Sequence, residues 1–294
     1  MIPTLVGVML ITFLLVRVSG DPARFVLGEM VSDEAIASFR AEHGLDRPIL
    51  AQFMSFLREI FHGDFGTSLR HREPVLKLFL ERVPATLQLG LAAYFVGVVV
   101  GVTAGILAAI QVGSLGDKAI RFLVLIGQSI PVFYLGLLLI ILVSLQLGWL
   151  PTGGRGGLRY LILPTLALSS RLIALVARFT RSVMLDVLHQ DYVRTARSKG
   201  LSESVVVWKH AARNAVIPLV TLLGLEFGHI ISGAAVTETV FSWPGVGRFV
   251  ITAISTRDFP VVQGTVLILT AIVVILNLAI DISYAYLDPR IKYS

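Results

Sequence analysis

Cysteine is absent from all 294 residues. Disulfides, thiolate metal sites and a cysteine nucleophile are therefore excluded. Charge is also scarce. Asp, Glu, Lys and Arg make up 15% of the chain, where a soluble domain carries about a quarter. No glycine-rich loop ends in Gly-Lys-Ser or Gly-Lys-Thr, and neither a His-Glu-x-x-His helix nor a Gly-x-Ser-x-Gly elbow occurs. Gly153-Gly154-Arg155-Gly156-Gly157 is glycine-rich but follows no strand, so it reads as a turn and not as a phosphate cradle. The chain is expected to hold no cofactor or metal of its own and to hydrolyse no ATP. The first apolar run begins at Met1 without a basic flank, and Arg17 stands at its far end. That is not the pattern of a cleaved signal. The missing flank is what a start inside a slightly longer natural chain would produce.

Apolar residues fill the space that charge leaves. They make up 55% of the chain, and the mean hydropathy is +0.81. So much apolar surface needs lipid as its solvent. The net charge of +6 fits a membrane protein whose Lys and Arg gather in cytoplasmic loops, and nucleic acid is not an expected partner.

A spanning helix takes about 20 largely apolar residues. Six stretches qualify: Ile2 to Val18, Ala85 to Ile110, Phe122 to Leu147, Leu161 to about Phe179, Ala215 to Val236 and Val261 to Tyr286. Pro131 and Pro164 fall inside the third and fourth, where neighbouring helices can re-satisfy the backbone groups that proline frees. Lys118 and Arg121, then Arg181, Arg194, Arg197, Lys199, Lys209 and Arg213, and finally Arg290 and Lys292 share one side of the membrane. The basic excess makes that side cytoplasmic, with both termini on it. The fold expected is an all-α integral membrane protein with about six transmembrane helices and a small helical external segment after the first. Its parts are residues 1–19, the first transmembrane helix; 20–84, the external segment; and 85–294, a five-helix core containing a cytoplasmic loop at 186–213. Within the external segment, Ser32 to His43 and Pro48 to Phe61 read as short amphipathic helices, with Asp33 and Glu34 suited to a first turn.

Gly97, Gly101 and Gly105 lie four apart in the second span, and Gly224, Gly228 and Ser232 do so in the fifth. Small residues at this spacing let helix backbones approach closely in lipid. The stripe serves packing within the bundle or a subunit seam. Polar groups inside spans are costly and usually face a bundle interior or a water-filled cavity. Arg171, Glu226, His229 and Gln128 are the candidates for a translocation path. Glu226 and His229, three apart on one helix face, also suit a pair or a proton relay. Asp281 reads better as a structural partner for a basic group.

The loop at 186–213 has a helix–glycine–helix pattern. Residues 191 to 199 suit a helix, and Gly200 is placed to end it. Ser202 can cap a second short helix, with Val205 where a capping box would want Glu or Gln. Leu201, Val205 and Trp208 then fall at i, i+4 and i+7, an apolar stripe on a polar loop. Such a stripe sits either in another protein's groove or on the membrane surface.

This segment resembles the EAA loop of ABC importer permeases, in the form found in the dipeptide, oligopeptide and nickel subfamily. Arg194-Thr195-Ala196 stands where Glu-Ala-Ala stands in the general pattern, and Gly200 is in place. Further stretches carry the resemblance along the chain: Gly20-Asp21-Pro22, His43-Gly44-Leu45-Asp46, Gly63-Asp64-Phe65-Gly66 with Ser68, and Pro84-Ala85-Thr86. Glu238 to Gly247, Arg257-Asp258-Phe259-Pro260, and Asp288-Pro289-Arg290-Ile291 complete it. The long external segment resembles the B-type member of the permease pair.

The resemblance implies a unit of two homologous permeases, two cytoplasmic ATPase subunits that bind ATP and Mg, and an external solute-binding protein, in a bacterial or archaeal cytoplasmic membrane. This chain would supply half the path. Asp191, Tyr192, Arg194, Thr195, Ala196, Lys199, Gly200, Leu201, Ser202, Glu203, Val205, Trp208 and His210 would couple it to the ATPase. Phe241, Trp243, Pro244 and Gly245 would meet the binding protein. Di- and oligopeptides are the expected solutes of the class, beside glutathione, nickel chelates, opines and sugars. The alternative is a gradient-driven secondary transporter using Glu226 and His229.

Overall fold

The computed structural model describes residues 2–18, 23, 27, 31–42, 45–232 and 234–287; at residues 2, 4, 15–18, 229–232, 276, 277 and 279–287 it describes the backbone alone. The motif residues Gly20-Asp21-Pro22, His43-Gly44 and Asp288 to Ile291 lie outside the described set, as do the side chains of His229 and Asp281. Among the described residues the chain is helical throughout, and one bridged pair, Thr67 with Pro74, is the sole β pairing. Two compact units form. One comprises Met1–Pro84 with Arg248–Ala279, and the other is built on Ala85–Gly247. Residues 248–279 thus group with the N-terminal part.

In the first unit, α1 (Ile2–Val18) carries Phe13, which packs edge-on against Phe53 and tilted against Phe56 of α3 (Ile49–Phe61). Between them in the chain comes α2 (Asp33–Glu42), with Asp33 and Glu34 in its first turn. Val75 and Leu78, at the start of α4 (Val75–Ile110), form a core with Phe249 and Ala253 of α11 (Val246–Ser255) and with Val261 of α12 (Phe259–Leu287). The Arg82 guanidinium lies over the Phe249 ring, 4.0 Å from its centroid. Asp258, between α11 and α12, is buried and accepts the Ser68 hydroxyl at 2.6 Å and the Leu69 and Arg70 amides at 3.1 and 3.3 Å. A carboxylate taken out of water is stable only with such donors.

The second unit is organised on α7 (Leu158–Leu188). It buries twelve of its residues and packs against α5 (Leu115–Ser129), α6 (Val132–Leu139) and α9 (Ala212–Ser232). On α4, Gly97, Gly101 and Gly105 face Leu172, Val176 and Thr180 of α7. A Cβ on Gly105 would stand 2.6 Å from the Ala177 carbonyl oxygen, and one on Gly101 2.8 Å from Val176 Cβ. The glycine stripe therefore serves packing within the subunit. Lipid tails are as apolar as leucine, so close van der Waals contact has to hold these helices together. Tyr94 adds a polar tie, donating to the Leu223 carbonyl of α9 at 2.8 Å.

Three helices are long and apolar enough to cross a bilayer among the described residues: Val75–Ile110, Leu158–Leu188 and Glu203–Gly228. The third expected span is not one straight helix. It breaks between Ser129 and Val132 into α5 and α6, bent by 106°. Ile130 is extended (φ −83°, ψ 123°), the conformation that a following proline imposes, and Pro131 opens α6. Pro84, Pro164 and Pro218 instead remain inside their helices. A π-helical stretch, Ile140–Gln146, follows α6. The first and sixth expected spans are helical as α1 and α12, with described apolar segments at Leu5–Leu14 and Phe259–Ile275.

The α4–α7 seam yields a prediction. Gly105→Val should destabilise the permease fold by about 1–3 kcal/mol or more through overpacking against backbone. Gly113→Ala, where a Cβ meets nothing within 4 Å but φ is +80°, should cost less. Thermal melting in detergent compares the two.

Candidate functional site

Helix α8 (Asp191–Ser198) buries Val193 and Ala196. Lys199 N donates to Thr195 O and Gly200 N to Arg197 O, at 3.1 and 2.9 Å. Gly200 has φ +73°, a left-handed conformation that side chains resist and that ends helices. The chain turns at Leu201 and Ser202 into a short helical turn, Glu203–Val205. A π-helical turn, Val206–Ala211, then leads into α9. Ser202 has the extended backbone of a cap, but its hydroxyl makes no capping bond, which corrects the expected side-chain cap. Arg197 holds the turn instead. Its Nε and Nη2 donate to the two Glu203 carboxylate oxygens at 3.1 and 2.6 Å, a forked, charge-assisted pair.

The hairpin has two faces. Inside, Val193, Ala196 and Val206 form a small core backed by Leu188. Outside, Leu201, Val205 and Trp208 are 40%, 37% and 53% exposed, beside an exposed Tyr192. Asn214 Nδ2 donates to the Tyr192 hydroxyl at 2.9 Å and ties α8 to the base of α9. Asp191, Arg194, Thr195, Lys199 and Ser202 are exposed, and His210 is half-buried.

Of the polar candidates inside spans, Arg171 and Glu226 are brought together across α7 and α9, Nη1 to Oε2 at 3.7 Å. Gln128 meets Arg178, whose Nη1 donates to Gln128 Oε1 at 3.2 Å.

The segment after α10 (Ala234–Val240) is built inward. Phe241 and Trp243 are buried, as is Gly245, so Pro244 alone of the four residues expected to meet a binding protein is exposed. Burial has a visible cause. Trp243 Nε1 donates to the Ala85 carbonyl at 2.8 Å, and its ring joins a core with Leu89, Leu168 and Leu172. Glu238 is 0% exposed and accepts the Thr86 hydroxyl at 2.6 Å; the Val246 amide donates to that same hydroxyl at 2.8 Å. Gly245 lies so close to the Glu238 carboxylate that a Cβ would collide with it. Pro84-Ala85-Thr86 and Glu238 to Gly247, far apart in the chain, are thus partly one construction.

Residues 101–293 match the family of binding-protein-dependent transport system inner membrane components, and residues 1–90 match its N-terminal family. The chain belongs to this family. The dipeptide transport system permease protein DppB of Alkalihalophilus pseudofirmus is 38% identical over 100% of this chain and 97% of its own length. The di/tripeptide transport system permease protein DppB of Pseudomonas aeruginosa is 42% identical, covering 100% and 96%. The glutathione transport system permease protein GsiC of Salmonella typhi is 42% identical, again covering 100% and 96%. In fold, the chain is similar to an inward-facing structure of the MetNI methionine ABC transporter, with TM-score 0.61 at 19% identity, over 74% of this chain and 99% of that one. It is also similar to an amino acid ABC transporter, with TM-score 0.56 at 19% identity, over 74% and 95%. The chain is a permease subunit of an ABC importer, an integral protein of the bacterial inner membrane. Importers of this family work with an ATPase and a binding protein.

The permease also contains a charged junction that the sequence reading passed over. Asp117 is 1% exposed. It accepts from Arg181 Nε and Nη2 at 3.0 and 3.2 Å and from the Gly113 amide at 3.1 Å, and Arg121 Nε lies 3.3 Å away. Ser114 caps α5 by accepting the Asp117 amide at 3.1 Å. Ser114 followed three residues on by an acidic side chain was the available signal, close to a capping box.

Two outcomes are expected. Thr86→Val removes a donor to Glu238 and the acceptor of the Val246 amide, and should cost about 1–3 kcal/mol in detergent melting, while Thr86→Ser should stay near wild type. Glu203→Gln weakens an exposed pair and should raise amide exchange over residues 197–206 by only about twofold.

Proposed function

We propose that this permease forms half of a translocation path for short peptides, crosses the membrane six times with both termini cytoplasmic, and is driven through the 191–210 hairpin. Its partners are a second homologous permease, two cytoplasmic ATPase subunits that bind ATP and Mg, and an external binding protein that delivers the solute. The names of its relatives, which handle dipeptides, di/tripeptides and glutathione, support the solute class.

One observation carries the coupling role. The hairpin satisfies its own core with Val193, Ala196 and Val206, and still presents Leu201, Val205 and Trp208 outward. An apolar face left over after the local core is complete fits a groove on a partner. Its two ends join α7 and α9, so motion of the hairpin reaches the helices that carry Arg171 and Glu226. Of the candidates whose side chains are described, Arg171, Glu226 and Gln128 then line the path, where a cation and a carboxylate suit the two termini of a peptide. Closure of the ATPases would move the hairpin and switch the cavity between inward and outward access.

The test is ATP-dependent uptake of a labelled dipeptide into vesicles holding the whole transporter. Trp208→Asp should cut uptake more than about tenfold, as expected for an exposed aromatic that anchors in a partner's groove, and Gly200→Pro should do likewise, with both variants still inserted in the membrane. Undiminished uptake by both would remove the hairpin from the coupling role. Uptake by the permease alone under an ion gradient would instead favour a gradient-driven carrier.

A further inference from the structure

Beside the Asp117 junction lies a cavity of about 400 Å³ between α5, α7 and the end of α4. It is distinct from the hairpin and from the Arg171–Glu226 pair, and it meets the proposed path through Gln128, the partner of Arg178. Three arginines line it: Arg121 from α5, and Arg178 and Arg181 from α7. Between them the same wall carries apolar side chains, among them Val124, Leu125 and Leu185.

The charge there is not balanced. Asp117 serves Arg121 and Arg181 together, and the partner of Arg178 is the neutral amide of Gln128. Three cations therefore face one carboxylate. Donors are also left over. Arg121 meets Asp117 through Nε, Arg181 through Nε and Nη2, and Arg178 meets Gln128 through Nη1. Among the described residues, both Nη of Arg121, Nη1 of Arg181, and Nε and Nη2 of Arg178 bond no protein group, and Arg121 and Arg178 are exposed. Guanidinium groups so placed match the oxygens of a phosphate. The volume lies within the range of small-ligand sites.

The surroundings say what else the ligand carries. Phe122, Leu125 and Ile126 are exposed on α5 beside the cavity, on a helix pair apolar enough for the bilayer. A soluble anion has no use for that surface, whereas an acyl chain does. We propose that this cavity binds the headgroup of an anionic phospholipid, with its phosphate on Arg121, Arg178 and Arg181 and its chains along the apolar face of α5. Basic pockets between membrane helices, on the side where basic loops gather, are suited to such headgroups. The bound lipid would complete the charge balance between α5 and α7, the two helices that Asp117 already joins.

The experiment uses the full-length permease in nanodiscs of phosphatidylcholine with a minor fraction of phosphatidylglycerol, and counts retained lipids by native mass spectrometry. The wild type should retain phosphatidylglycerol selectively. Arg121→Gln and Arg178→Gln leave the Arg181–Asp117 fork intact and should each weaken retention about fivefold. Lys118→Gln removes the same charge from an exposed position outside the cavity and should leave retention unchanged. Equal retention by the Arg121→Gln/Arg178→Gln double variant would overturn the assignment. So would an equal loss in Lys118→Gln, which would mark diffuse attraction to the membrane surface. Displacement of the lipid by millimolar inorganic phosphate would assign the cavity to a free anion and also overturn it. Thermal melting of each variant in phosphatidylcholine alone verifies that the fold persists.

Discussion

Close backbone contact between α4 and α7 is the constraint on which the second unit rests. Water drives apolar surfaces together in a soluble protein, but lipid does not. What remains is contact distance, and glycine at 97, 101 and 105 sets it. Because α4 can approach so far, Leu172, Val176 and Thr180 lock into its surface, and α7 becomes the fixed axis of the unit. Arg171, Arg178 and Arg181 all project from that axis. The helix that bears the polar groups is therefore the one least free to shift alone.

Buried carboxylates provide the second kind of join. Asp258 gathers Ser68 and the amides after it; Glu238 gathers Thr86, whose hydroxyl in turn serves the Val246 amide. In both cases a segment late in the chain is tied to one more than 150 residues earlier. Apolar contacts tolerate sliding, whereas a buried acid with specific donors does not. The motif segments that looked like separate signatures are in part the two halves of such ties.

Much of this was legible in the sequence. Helices, the break at Gly200, the close-packing stripe on α4 and the outward row of Leu201, Val205 and Trp208 all follow from spacing and glycine chemistry. Other features did not follow, for a common reason. In a membrane protein, residues facing lipid and residues facing the core are equally apolar, so periodicity does not fix how a helix is rotated. Nothing local distinguishes Pro131, which breaks its span, from Pro164, which does not. The pairing of Arg171 with Glu226, and of Gln128 with Arg178, depends on which helices become neighbours. The resemblance implies that Phe241 and Trp243 meet a binding protein, yet Trp243 needs an acceptor for its indole N–H and finds it at Ala85, inside. Asp117 was hidden among loop charges because its partner Arg181 is 64 residues away.

The π-helical turn at Val206–Ala211 has a geometric consequence. A π turn holds about one residue more than the α turn it replaces, and each residue of an α-helix advances the chain by about 100°. The direction in which Trp208 and its neighbours look is thus indexed to α9 by a single surplus residue. Shortening that turn by one would leave every side chain chemically intact and point the hairpin a quarter-turn or more away, like a key cut correctly and inserted at the wrong angle.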